Sequence, residues 1–247
     1  MKINTSGAIA PFLAMSYFLS LNLVQADKST SPSVPVGWLS ANPGIVKAGA
    51  KPELKWNITY PATVVDYVTV TDGSTVTAKQ ELDMEVRVLG AGVTASSSNS
   101  SKITFVPTEA KMSYNGASYQ RLFYGSNPEV DPTKVVFRST AKAGEPIRFG
   151  GRYYYNGNWG QFHYSSSGTR NVRTLVNGQT PPTTYPLHTA PTLENFIKPY
   201  LDASGKVMIG PMDVIVFMEL THADSQSDQQ GYDLQDMVLL VTFRKKS

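Results

Sequence analysis

The chain has 247 residues, a formal net charge of +3 and no cysteine. Without thiols there are no disulfides, thiolate metal sites or cysteine nucleophiles, and with only 17% charged residues the chain lacks the clustered Lys and Arg of a nucleic-acid footprint. Abundant Tyr, Thr, Ser, Asn and Gly suit an extracellular β-protein better than a helical cytosolic enzyme.

Lys2 gives a positive start, Ala8 to Leu21 is mostly apolar, and Val24-Gln25-Ala26 forms a small-x-small cleavage site. This pattern predicts an export signal over residues 1–26. A spanning helix needs about 20 mostly apolar residues, and Pro11, Ser16, Ser20 and Asn22 interrupt this run. The expectation is a periplasmic or extracellular protein with no membrane insertion after cleavage. Residues 27–35, DKSTSPSVP, read as a flexible lead. Residues 36–247 are enough for one large β domain or two small ones.

Gly37 to Ala41 opens the fold and Pro43-Gly44 turns it. In Glu53 to Tyr60, ELKWNITY, alternation places Leu54, Trp56, Ile58 and Tyr60 on one face, and Pro61 ends the strand because proline cannot donate to a ladder. Val64 to Thr71 reads as a second β run and Asp72-Gly73 as a turn. Leu82 to Leu89 is a third run, with Leu82, Met84, Val86 and Val88 on one side. Residues 94–101, TASSSNSS, read as a loop tip. Ile103 to Val106, Ala110 to Tyr114 and Tyr119 to Tyr124 read as short strands, with a hairpin turn at Asn115-Gly116. Asn127 to Pro132 is a loop, and Val135 to Ser139 leads through Ala143-Gly144 into the densest signal of the chain.

That signal is Ile147 to Tyr164, IRFGGRYYYNGNWGQFHY. Asn156-Gly157 between β-favouring runs is a strong hairpin signal, since both residues tolerate the positive φ of a type I′ turn. With these two as the loop, Tyr155 faces Asn158, Tyr154 faces Trp159, Arg152 faces Gln161 and Gly150 faces His163. Ile147, Phe149, Tyr153, Tyr155, Phe162 and Tyr164 then read as the core side. Arg148, Arg152, Tyr154, Trp159, Gln161 and His163 read as a wet face. Sugar rings have apolar faces that stack on aromatic plates, while Arg, Gln and His bond hydroxyls. Arg152, Tyr154, Trp159, Gln161 and His163 are therefore candidate glycan ligands. The competing reading is a set of cross-strand pairs that stabilise a hairpin, worth roughly 0.2–1 kcal/mol each.

Further on, Asn177-Gly178 and Pro181-Pro182 mark a loop. Thr192 as cap, Glu194 at the positive end and the stripe Leu193, Phe196, Ile197 predict one short helix near 192–198, ended by Pro199. Val214 to Leu220 and Met237 to Phe243 are continuous apolar runs, the pattern of central strands buried on both faces.

Between those runs lie His222, Asp224, Asp228, Asp233 and Asp236 with no basic residue. Calcium takes six to eight oxygen ligands, so Asp224, Asp228, Asp233 and Asp236 are candidate calcium ligands. Their spacing does not match an EF-hand. The competing reading is a solvated loop whose Asp and Gly residues make turns. His163, His188 and His222 fit no metal-ligand spacing, and no nucleophile elbow or phosphate loop is present. Glu219 and Asp236 are candidates for a glycosidase carboxylate pair, which needs a separation of roughly 5–10 Å. The competing reading makes them polar strand ends.

The segment PGIVKAGAKPELKWNITYP resembles the opening strands of bacterial immunoglobulin-like modules, with an apolar-x-Trp strand after a Gly-containing turn. The whole exported portion, ending in GYDLQDMVLLVTF, resembles a type of secreted bacterial β-sandwich protein. That resemblance implies export and a sandwich; it carries no activity and no site residues. The disulfide of antibody-type domains is absent.

Short strands, closely spaced turns and one helix predict an all-β fold. The expectation is a jelly-roll or immunoglobulin-like β-sandwich over 36–247, with two smaller sandwiches divided near 94–101 as the alternative. Functionally, the leading expectation is a secreted structural or interaction module without enzymatic activity, whose partner is a glycan or another extracellular protein. A carbohydrate-binding module comes second and a sandwich-fold hydrolase third.

Overall fold

The computed structural model describes residues 36–41, 54–96, 103–166, 168–184 and 197–246. The predicted signal segment, the 27–35 lead, the Pro43-Gly44 turn and His188 lie outside them. The strands in chain order are β1 (Val36–Ala41), β2 (Leu54–Thr59), β3 (Val68–Thr71), β4 (Thr75–Ala78), β5 (Leu82–Gly90) and β6 (Thr94–Ser96). They continue with β7 (Ile103–Phe105), β8 (Thr108–Ser113), β9 (Gln120–Gly125), β10 (Val135–Ala141) and β11 (Pro146–Tyr155). The last five are β12 (Asn158–Trp159), β13 (His163–Tyr164), β14 (Val172–Val176), β15 (Asp213–Met218) and β16 (Met237–Lys245). A single helical turn, α1 (Val64–Tyr67), precedes β3.

Antiparallel pairing builds a five-stranded sheet ordered β10-β5-β16-β15-β14 and a seven-stranded sheet along β3-β4-β11-β8-β9, with β12 and β13 also on β11. Both sheets draw strands from before and after the serine-rich stretch 94–101, because β5 lies between β10 and β16 while β4 joins β11. Leu82, Met84 and Val86 of β5 and Leu239, Val241 and Phe243 of β16 pack with Met112 of β8 and Ile147 and Phe149 of β11 in one buried cluster. This is the core of an all-β sandwich. A second cluster puts Ile215, Phe217, Val238 and Leu240 against Val207, Tyr232 and Leu234. The strands β15 and β16 are thus covered on both faces, which is why their sequences are continuously apolar.

Several expectations need correction. Residues 64–67 form α1 instead of opening a β run, because the Asp66 carboxylate accepts the Thr63 N–H at 2.7 Å and closes the first turn. Of the predicted 192–198 helix, residues 192–196 fall outside the described residues, and Lys198–Tyr200 is a 3₁₀ turn around Pro199. Thr94–Ser96, expected in a loop tip, pairs with Ile103–Phe105. The alternating face of β2 is solvent-facing: Leu54, Trp56, Ile58 and Tyr60 are all exposed, Trp56 by 68%. Among the described residues β2 pairs only with β1, in a separate two-stranded sheet. Among the described residues no helix is long and apolar enough to cross a membrane.

Candidate functional site

The Asn156-Gly157 turn forms as read, with φ of 49° and 80°, and Tyr155↔Asn158 and Tyr154↔Trp159 are cross-strand partners. Beyond Trp159 the register moves by one residue. The Gly160 N–H still donates to the Tyr153 carbonyl at 2.8 Å, but β13 then pairs Gly151↔His163 and Gly150↔Tyr164. The Tyr153 ring lies over Gly160, where a Cβ would meet it at 2.5 Å. A one-residue slip turns side chains to the opposite face. His163, expected on the wet face, is 8% exposed and turned inward, whereas Tyr164, expected in the core, is 48% exposed. Tyr155 is also exposed, because it sits at the hairpin tip. Phe162 packs over Gly150, within 2.7 Å of its virtual Cβ, on the outer side of the sheet. Gln161 is exposed and does not pair with Arg152, whose cross-strand partner is Glu109.

The outer face of the seven-stranded sheet collects residues from four strands. Arg152 of β11 stands opposite Glu109 of β8, and Glu109 stands opposite Tyr124 of β9. Lys111 stands opposite Gly150 and Arg121. Trp159 is held from three sides: the Arg152 guanidinium lies 4.1 Å from its ring centroid, Tyr154 5.0 Å and Tyr124 5.6 Å. Arg121 lies 5.3 Å from the Tyr124 centroid. Beside this group, Phe162 makes edge contact with Tyr119 at 5.2 Å and stacks with Tyr164 at 6.0 Å, with Lys111 above it. Burial pushes the Tyr119 phenol up to about 12.

Glu109 anchors the face. Its carboxylate is fully buried and accepts Arg121 Nε–H at 2.6 Å on Oε1 and Arg152 Nε–H at 2.8 Å on Oε2, with Lys111 Nζ at 3.4 Å. Burial opposes ionisation, but the hydrogen bonds from Arg152 and Arg121 and the Lys111 charge outweigh it and hold the carboxyl below its ordinary range. Both arginines spend Nε on Glu109, and their terminal amino groups bond nothing among the described residues. The sequence reading missed Glu109, Lys111, Arg121 and Tyr124. The only local signal was Glu109 and Lys111 at i, i+2, sharing one strand face.

A second constellation lies at the end of β15. Glu219 and Asp236, read as strand-end carboxylates, are hydrogen-bonded to one another and buried. Glu219 Oε1 accepts Thr221 Oγ1–H at 2.7 Å, the His222 amide at 3.0 Å and the Thr221 amide at 3.1 Å, while Oε2 accepts the Asp233 amide at 3.0 Å. His222 Nδ1 is 3.2 Å from Oε1. Asp236 Oδ2 accepts the amides of Leu220 at 2.7 Å and Thr221 at 3.0 Å. Burial, then the Glu219 and Asp233 charges, push Asp236 well above the usual carboxyl range. Burial also disfavours the Glu219 anion, yet bonds from Thr221, Asp236 and the Asp233 amide overcome this and lower it. These opposite shifts favour the proton on Asp236 and the charge on Glu219.

Of the four candidate calcium ligands, only Asp233 and Asp236 approach one another, together with Glu219. Asp224 is drawn away by Arg170, whose backbone N–H and Nε–H it accepts at 2.6 and 3.1 Å, and Asp228 is exposed. The Glu219 and Asp236 oxygens face N–H and O–H donors, an arrangement opposite to the carbonyl and carboxylate lone pairs that calcium requires. Burial lowers the pKa of inward-facing His163, and the nearby Glu219 charge opposes that shift.

This acid cluster pins the 219–236 loop, whereas the Trp159 face presents aromatic plates and unbonded guanidinium edges to solvent. No family model, curated protein or solved structure matches the chain.

Proposed function

We propose that this chain is an exported, non-enzymatic binding protein that takes carbohydrate on the Trp159 face of its seven-stranded sheet. The observation that carries the reading is the three-sided support of Trp159 by Arg152, Tyr154 and Tyr124 while the ring stays 38% exposed. A plate held in place before binding loses little side-chain entropy when a sugar ring stacks on it. Arg152 supplies hydrogen-bond donors beside it and exposed Gln161 both a donor and an acceptor. The acid pair favours a binder over a hydrolase. Glycosidase carboxyl groups flank their substrate, while Glu219 and Asp236 bond each other beneath the surface. The test is a glycan array with the full chain and the variants Trp159→Ala and Tyr154→Ala, each checked for an unchanged far-UV spectrum. Loss of the captured glycans in both variants is expected; undiminished binding in both would remove this face as the site.

One observation favours a second reading, self-association. The β1–β2 ribbon exposes Val36, Trp38, Leu39, Leu54, Trp56 and Ile58, and a lone two-stranded hairpin is marginal in water. Light scattering of the parent and of Trp38→Ser/Trp56→Ser decides it: a dimer dispersed by the substitutions supports the reading, and a monomeric parent removes it.

A further inference from the structure

The charges on the Trp159 face are one-sided. Arg121, Arg152 and Lys111 surround Glu109, and exposed Arg148 continues the same side of β11 two residues beyond Gly150. Glu109, the one carboxylate among them, is fully buried with both oxygens occupied by Arg Nε–H groups. A neutral sugar offers hydroxyls that donate as well as accept, and its binding face is served by exposed carboxylates as well as by donors. This face is rich in charged donors, and its charged acceptor is already spent. The Nε atoms of both arginines lie within 3 Å of the one Glu109 carboxylate, so two guanidinium groups gather around a single buried acid. The free edge of each matches the bidentate geometry of a carboxylate or sulfate group. The cation–π contact with Trp159 holds the Arg152 guanidinium 4.1 Å from the ring centroid.

We propose that the ligand of this face is an anionic saccharide bearing carboxylate or sulfate groups. One sugar ring lies on Trp159, and the anionic group bridges the free edges of Arg152 and Arg121. This rests on the carbohydrate reading above and adds the charge of the ligand to it. A Trp plate beside guanidinium groups would also stack bases, so a single-stranded oligonucleotide is included as a competing class.

The experiment is calorimetric titration of the full chain with polygalacturonate, chondroitin sulfate, dextran and an oligothymidylate, at about 50 and about 300 mM salt. The expected result is binding of the uronate or the sulfated polymer, or both, with dextran silent and the oligonucleotide at least about tenfold weaker. The two anionic polymers distinguish carboxylate from sulfate recognition. Affinity should fall several-fold at the higher salt. Arg121→Gln should weaken binding about fivefold or more while the melting temperature holds, and Trp159→Ala should abolish it. Anion binding that persists in Trp159→Ala is non-specific adsorption and overturns the proposal. Dextran binding equal to that of the anionic polymers, and insensitive to salt, overturns the anionic ligand while sparing the carbohydrate reading. Oligonucleotide binding as tight as the polysaccharide overturns it as well, and silence of every polysaccharide overturns both readings.

Discussion

Asp236→Asn and Glu219→Gln probe one shared proton from its two ends. In the parent, protonated Asp236 donates to Glu219 while its Oδ2 accepts the amides of Leu220 and Thr221. An asparagine reproduces all three bonds, since its NH₂ donates and its carbonyl accepts. Asp236→Asn should therefore stay within about 1 kcal/mol of the parent at neutral pH. Glutamine at 219 must put an NH₂ against donors. Turned toward Oε1 it meets the Thr221 and His222 amides and the Thr221 hydroxyl; turned toward Oε2 it meets the Asp233 and Leu234 amides. At least two donors lose their acceptor, at about 1–3 kcal/mol each, so the cost is about 3 kcal/mol. For a chain of this size that is a fall of about 6–12 °C in Tm. The pH dependence separates the two groups. Asp236 titrates above its ordinary 3.8 in the fold, so its stabilisation is complete below that value and is lost as pH rises through the folded pKa. Glu219 titrates below 4.5, so its contribution is present above 4.5 and is lost as pH falls. The Asp236 decline, up to about 1.4 kcal/mol per pH unit, should vanish in Asp236→Asn while the acid limb remains. Urea unfolding between about pH 2 and 9, a span reaching across both windows, reads both limbs. An Asp236→Asn variant as unstable as Glu219→Gln, or one that keeps the upper limb, would refute the shared proton.

Four further outcomes can be measured. Gly151→Ala places a Cβ 2.8 Å from the Glu109 carbonyl and 3.1 Å from a Leu220 methyl. It should cost about 1–3 kcal/mol in urea unfolding, whereas Gly168→Ala, with open space around it, should be close to neutral. Gly157→Ala puts a side chain at φ of 80° and should lower stability by about 1–2 kcal/mol; an unchanged midpoint would contradict the turn geometry. Millimolar calcium should leave the thermal midpoint unmoved, because donors already occupy the Glu219 and Asp236 oxygens; a calcium-dependent rise would reverse that assignment. Glu109 titrates below 4.5, so its stabilisation is present above 4.5 and drains as pH falls, and Glu109→Gln should flatten that part of the acid-unfolding curve.

The elements that were legible in the sequence are those set by neighbouring residues. The positive φ of Asn115, Asn156, Gly116 and Gly157 follows from what Asn and Gly tolerate. The alternation of Leu82, Met84, Val86 and Val88 marked the buried face of β5. The continuous apolar runs marked β15 and β16 as central. The alternation in β2 marked a strand with one shared apolar face, and that face is exposed, because periodicity says which side chains lie together and not whether a sheet covers them. Val172–Val176, left unassigned by the sequence, is an edge strand of mixed polarity beside β15. The site was half legible. Tyr154 and Trp159 face each other as their turn requires, but the slip at Gly160 carried His163 inside and Tyr164 out.

By itself, then, the sequence determined the all-β class, the turns and the aromatic density of the β11–β12 hairpin, since each depends on φ preference and local periodicity. Strand order and register decided the rest. They buried Glu109 among cations from β8, β9 and β11, and folded the 219–236 loop so that amides from its two ends converge on Glu219. Both depend on pairing and loop closure that bring remote partners, Arg121 and Arg152 to Glu109 and Asp233 to Glu219, beside the few that neighbouring positions already supply.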